Sequence, residues 1–233
     1  MCLGCEPADV NPQVAIWQPL IEEEEAFVSQ HEVVRKKVLQ LGGEVSAFRE
    51  NVDKHSPEFS LLINLSNNPQ VDDAALVNLL DGSPTRLLLG FTSITDDGLA
   101  AFRNDPGLTH LALSGTSVGN SAIGHLRTLP SLRGVGLGKT NVSDEGLREL
   151  TSISTLEELS FPQTSVTDEG VSVLPSLERL WLLDLADTQV TDKAIDDLMK
   201  IKTLKMVWLS GTKVTAAGAE RLRQALPECK VHY

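Results

Sequence analysis

The chain has 233 residues, 41% of them hydrophobic and only 4% aromatic, so one large domain or two small ones must be built around aliphatic side chains. Its formal net charge of −12 repels phosphate backbones, which argues against nucleic acid as a partner. Three cysteines are too few for a disulfide-dense scaffold, and no apolar run approaches the roughly 18 residues of a transmembrane segment.

The opening Met-Cys-Leu-Gly-Cys ends like the cleavage site of a bacterial lipoprotein signal. The charged and apolar segments that precede such a site are missing, so a soluble, cytoplasmic chain is expected. An envelope lipoprotein is the alternative if the true start lies upstream of Cys5. Residues 1 to 15 are expected to be loosely ordered. Glu22 to Leu41 reads as a helix: Phe27, Val34, Val38 and Leu41 share one face, acidic residues open it, and Gly42-Gly43 ends it. Val45 to Phe48 adds a short strand.

From about residue 59 the chain repeats itself. Thr92, Thr116, Thr140, Thr164, Thr188 and Thr212 stand 24 residues apart. Around each, apolar residues hold fixed offsets: Leu111 and Leu113 before Thr116, Val118 after it. A looser first copy places Ile63 and Leu65 in the same columns, and Val231 and Tyr233 place a terminal strand after the last full copy. Within one copy, "LTHLALSGT" alternates apolar and polar residues as a half-buried strand does. "VSDEGLREL" then changes to helical spacing, with Ser143 or Asp144 at the helix start. A single strand–helix coil leaves apolar faces open, so coils must stack, and the end of the stack needs a cover. Residues 1–58 are therefore expected to be a tail and helical cap, and 59–233 a solenoid of about seven repeats plus a terminal strand.

The phrase L-x-x-L-x-L-x-x-T-x-V-T-D-x-G-L-x-x-L resembles the leucine-rich repeat, with Thr where many relatives place Asn or Cys. The 24-residue spacing is similar to that of bacterial members. The resemblance implies an α/β solenoid: a right-handed horseshoe with a parallel sheet on its concave face and helices on its convex face. It also implies a module that binds proteins. A likeness to F-box adaptors raises a ubiquitin-ligase substrate adaptor as an alternative, but residues 1–58 lack an F-box-like Leu-Pro helix bundle.

Several columns invite chemistry. Asp96, Asp144, Asp168 and Asp192 have the ligand type of a calcium row, but Asn120 and Ala216 interrupt it, and capping of helix N-termini is the simpler assignment. The recurring Gly98, Gly146, Gly170 and Gly218 lack the Lys-Ser/Thr ending of a phosphate loop and suit close packing between coils. Cys2-x-x-Cys5 and Cys229-x-x-His232 have zinc-ligand types but lie at opposite ends of the stack, so no metal and no cofactor is expected. No nucleophile motif accompanies any histidine, so no enzyme is expected. His110 and Glu158 lie two coils apart, about 9–10 Å, too far for a tight pair.

Function is therefore expected on the outward positions of the sheet. Arg86, His110 and Glu158 are polar there, Gly134, Gly136 and Gly138 leave the middle bare, and Leu182, Asp184, Met206 and Trp208 form a C-terminal patch. An outward Trp is costly to leave wet, so the patch is a candidate docking site for an unidentified protein or peptide. Alternatively Trp208 folds over Met206 and Leu182 and packs against the tail. The threonines form a structural ladder whose hydroxyls satisfy turn amides, and a monomer is expected.

Overall fold

The structure, a computed structural model, describes residues 24–49, 59–79 and 84–233. The expectations for Cys2, Cys5 and residues 1 to 15 lie outside those residues. The fold is a stack of coils that contribute one strand each to a nine-stranded sheet in sequence order. The strands are β1 (Glu44–Arg49), β2 (Phe59–Asn64), β3 (Arg86–Leu88), β4 (His110–Ala112), β5 (Gly134–Gly136), β6 (Glu158–Ser160), β7 (Leu182–Asp184), β8 (Met206–Trp208) and β9 (Lys230–His232). From β2 to β9 neighbours are parallel with a 24-residue offset, as in Leu111 opposite Val135 and Leu159 opposite Leu183.

β1 departs from the expected all-parallel sheet. It pairs antiparallel with β2, Val45 opposite Ile63 and Ala47 opposite Leu61. A parallel pair needs a crossover of a dozen or more residues, and only residues 50–58 separate these two strands. The expected N-terminal helix is present in two pieces. Residues 24–30 are helical, His31 forms a turn, and α1 runs from Glu32–Gln40. Val34 and Val38 of α1 are buried in the same core as Leu61, Ile63 and Leu65, with Phe27 and Leu41 packed against it. The chain leaves α1 through Gly42 at φ 71°, a left-handed position that glycine occupies without a Cβ penalty.

The strand and return columns supply the core. Leu111, Leu113, Val118, Leu159, Phe161, Val166, Leu183 and Leu185 are all at most 2% exposed. Behind the sheet, each coil returns through a short helix or 3-10 segment, such as α2 (Asp73–Leu79), α3 (Ile123–Leu126), α4 (Asp144–Leu150), α5 (Asp168–Val171), α6 (Ile195–Leu198) and α7 (Ala216–Ala225). These segments are too short to be stable alone; packing against the adjacent coil holds them.

The recurrent Thr acts differently from the expectation. Its hydroxyl donates to the carbonyl three residues earlier: Thr92 to Leu89, Thr116 to Leu113, Thr140 to Leu137, Thr188 to Leu185 and Thr212 to Leu209, each at 2.6 Å, and Thr164 to Phe161 at 2.8 Å. The Thr closes the turn at the end of the strand: in three coils the same carbonyl also accepts from the backbone amide of Thr116, Thr188 or Thr212. Only Thr140 and Thr212 also accept from an amide, those of Val142 and Val214.

The acidic column also corrects a detail. Its carboxylates reach past their own helix starts into the following coil. Asp144 accepts from the Thr167 amide at 2.8 Å and the Thr167 hydroxyl at 2.6 Å, Asp168 from both groups of Thr191 at 2.7 Å, and Asp192 from both groups of Thr215 at 2.7 Å. Asp73 does the same for Thr95, and Asp96 accepts from the Gly119 amide. The next coil's N-cap amide has no intrahelical partner, so the neighbouring carboxylate satisfies it. The repeated glycine leaves room for this bridge: a Cβ at Gly170 would stand 2.3 Å from Asp144 Oδ1.

Candidate binding face

The outward face of β3 to β8 carries every residue singled out for binding. Each alternates with a buried leucine or valine, so the half-buried strand pattern sets its direction. Arg86, His110, Gly134, Glu158, Leu182 and Met206 lie side by side in one row, because the register brings equivalent positions opposite each other. The next row is Leu88, Ala112, Gly136, Ser160, Asp184 and Trp208.

Two coils do not keep His110 from Glu158. His110 Nε2 lies 3.8 Å from Glu158 Oε1, an ion-pair distance when the ring is charged. The intervening Gly134 makes this possible. A Cβ there would stand 2.3 Å from His110 Cδ2, so the imidazole lies over the glycine and spans the coil that separates it from Glu158. The spacing argument treats side chains as confined to their own coil and misses this reach. At its other nitrogen, His110 Nδ1 is 2.8 Å from the Thr109 hydroxyl, which donates its own proton to the Thr85 carbonyl at 2.9 Å. That hydroxyl bridges His110 Nδ1 and the Thr85 carbonyl and holds the ring with Nε2 toward Glu158. The facing His110 lowers the Glu158 pKa; partial burial opposes this, and Arg86 adds a smaller pull in the same direction as His110.

Around this pair the sheet is hollow. A depression of about 360 Å³ is lined by Leu62, Arg86, Leu88, His110, Ala112, Gly134, Gly136, Glu158, Ser160 and Leu182. Its floor is apolar or backbone, and its charged groups stand together on the row from Arg86 to Glu158. The bare middle expected from the glycines is thus a cavity floor with a polar wall.

The C-terminal patch is arranged differently. Trp208 stacks on His232 of β9, with ring centroids 5.1 Å apart and planes 11° from parallel. The indole is half-buried, and its ring partner is His232 of the C-terminal strand. Asp184 accepts from the Ser160 hydroxyl at 3.2 Å and the Ala186 amide at 3.0 Å. Leu182 belongs to the central depression, while Met206 and Trp208 lie beyond its lining. Among the described residues no cluster of three His, Cys, Asp or Glu side chains is arranged to hold a metal, and no helix is long and apolar enough to cross a membrane.

No known family profile matches this sequence, and no curated protein matches it. Solved structures do match. Internalin C2 of Listeria monocytogenes superposes with a TM-score of 0.57 at 22% identity, over 73% of this chain and 69% of that one. A leucine-rich repeat protein of Leptospira interrogans gives 0.51 at 18% identity, over 69% of this chain and 39% of that one. An internalin, InlF, from L. monocytogenes gives 0.51 at 18%, over 73% and 52%. This chain has the leucine-rich repeat fold.

Within that fold, the Thr column occupies the place where the chain turns inward from the sheet. The residue before it is left-handed in every full coil: Phe91, Gly115, Lys139, Gln163, Asp187 and Gly211 all have φ between 52° and 73°. Phe91 is the unusual member, a bulky side chain where the other five coils place Gly, Lys, Gln or Asp. Sequence reading did not single it out. The signal available was a lone Phe in a column of Gly, Lys, Gln and Asp.

Proposed function

We propose that this protein is a non-catalytic interaction module whose concave sheet holds a segment of another protein or a peptide. The central depression carries this reading: an open, apolar-floored hollow whose polar groups, Arg86, His110 and Glu158, line one side. That combination gives a bound segment both burial and orientation. Asp184 and Leu182 extend the surface toward the C-terminal end, and Met206 with the Trp208–His232 stack forms its shoulder. In the same reading, residues 1–58 form a cap on the 59–233 solenoid, protecting the apolar end of the first coil.

Affinity capture with the native protein beside Gly136→Phe and Trp208→Ala tests the proposal. A Cβ at Gly136 meets only ordinary contacts, at 3.7 Å and beyond, so a ring there fills the hollow while leaving the backbone in place. Partners retained by the native protein are lost from Gly136→Phe, with the melting temperature unchanged. Trp208→Ala weakens capture less, because its ring is already packed against His232. Undiminished capture by Gly136→Phe would remove the concave floor from consideration.

A further inference from the structure

The turn rim beside the sheet repeats the device seen at His110. Phe91 sits at φ 57°, a region bulky side chains rarely occupy, yet the residue is 50% exposed. The ring lies on Gly115 of the next coil: a Cβ there would stand 2.5 Å from Phe91 Cδ1 and Cε1. Beyond the glycine, Lys139 Nζ is 5.7 Å from the ring centroid. Among the described residues no carboxylate forms an ion pair with this ammonium. Three successive coils thus present a seated aromatic face beside an unneutralised cation. Backbone strain and an exposed ring both work against stability, and strain kept at the surface points to a use outside the fold.

We propose that the Phe91–Lys139 rim docks an acidic segment of a partner protein, with an apolar side chain against the exposed part of the Phe91 ring and an Asp or Glu carboxylate on the Lys139 ammonium. Charge complementarity selects that class of partner. The net charge of −12 works against long-range approach of such a segment, so the attraction is confined to the contact of its carboxylate with the Lys139 ammonium, within about 8 Å. The rim lies on the turns that follow the strands, so this proposal goes beyond the concave-floor reading, and either can fail without the other.

A random-peptide display library, with the random segment placed internally so that no free carboxyl terminus is presented, is selected on the full chain and on three variants. Phe91→Gln removes the ring but keeps a residue the turn accepts, since Gln163 holds the equivalent place at φ 58°. Lys139→Glu reverses the charge, and Gly136→Phe blocks the floor. The native protein enriches peptides with Asp or Glu close to an aromatic or aliphatic residue. On Phe91→Gln the selected peptide loses about tenfold or more in affinity, and on Lys139→Glu selection switches to Lys and Arg. Enrichment of basic peptides by the native protein, no enrichment at all, or binding indifferent to both rim variants overturns the proposal. Loss of binding on Gly136→Phe alone keeps the floor and removes the rim; loss on the rim variants alone does the reverse.

Discussion

Asp168 offers a direct measure of what joins one coil to the next. Its carboxylate receives two hydrogen bonds at 2.7 Å, from the amide and the hydroxyl of Thr191, and the same hydroxyl accepts from the Lys193 amide at 3.2 Å. Asp168→Ala removes both bonds and leaves a helix-start amide without its acceptor. Hydrogen bonds to charged groups contribute about 1.5–3 kcal/mol each. Both residues are only half-buried, so we go to the lower end of that sum and slightly below it, and expect a loss of about 2–3 kcal/mol for the two bonds together. For a chain of this size that corresponds to a fall in Tm of roughly 4–12 °C. Asp168→Asn provides the control, and the molecule already contains it. Asn120 fills the same column, accepts from the Ser143 amide at 3.0 Å and donates from Nδ2 to the Ser143 hydroxyl at 2.9 Å. The amide keeps both bonds by reversing the second, but Ser143 then makes no side-chain cap for its helix. Asp168→Asn should therefore cost about 1 kcal/mol or less, the worth of a weakened cap. Urea titrations and thermal melts of the three proteins decide it. Equal destabilisation by Ala and Asn, or a loss below about 0.5 kcal/mol for Ala, refutes the inter-coil bridge as an energetic feature.

Thr188 is 1% exposed, and its hydroxyl donates to the Leu185 carbonyl. Thr188→Val keeps the shape but removes that donor, and should lower stability by about 1 kcal/mol in urea unfolding. Gly134→Ala drives a methyl into the His110 ring; overpacking should cost about 1–3 kcal/mol, and the Glu158 pKa, read by carboxyl NMR, should rise toward its ordinary value as His110 is displaced. The Asp192 carboxyl is held below 3.8 by the Thr215 amide and hydroxyl. A depressed acid stabilises the fold above its unfolded pKa, and that contribution disappears as pH falls through the folded value. Thr215→Val, which keeps the amide but loses the hydroxyl, should therefore raise the Asp192 pKa and weaken the acid limb of the stability profile. Cys229 is buried and its thiol pKa is raised by that burial, so in a Cys2→Ser, Cys5→Ser background a thiol reagent should react with the native protein slowly and with the urea-unfolded protein fast.

The sequence by itself determined the stack. A 24-residue period in leucines, valines and threonines fixes which residues turn inward, and because each coil buries its neighbour's apolar edge, the same period fixes the strand register from β2 to β9. Phe27, Val34, Val38 and Leu41 likewise announced the helical face that packs against the core. Spacing alone did not decide what crosses between coils. Asp168 reaching Thr191, His110 reaching Glu158 and Phe91 reaching toward Lys139 depend on the direction and length of side chains and on what the adjoining coil omits. Gly134 and Gly115 matter there because they carry no side chain, and an absence of atoms becomes a binding surface only when a neighbour is laid over it. A one-dimensional repeat records each coil's own contents; the contacts that shape the candidate site arise from rings and carboxylates spanning the coils beside them.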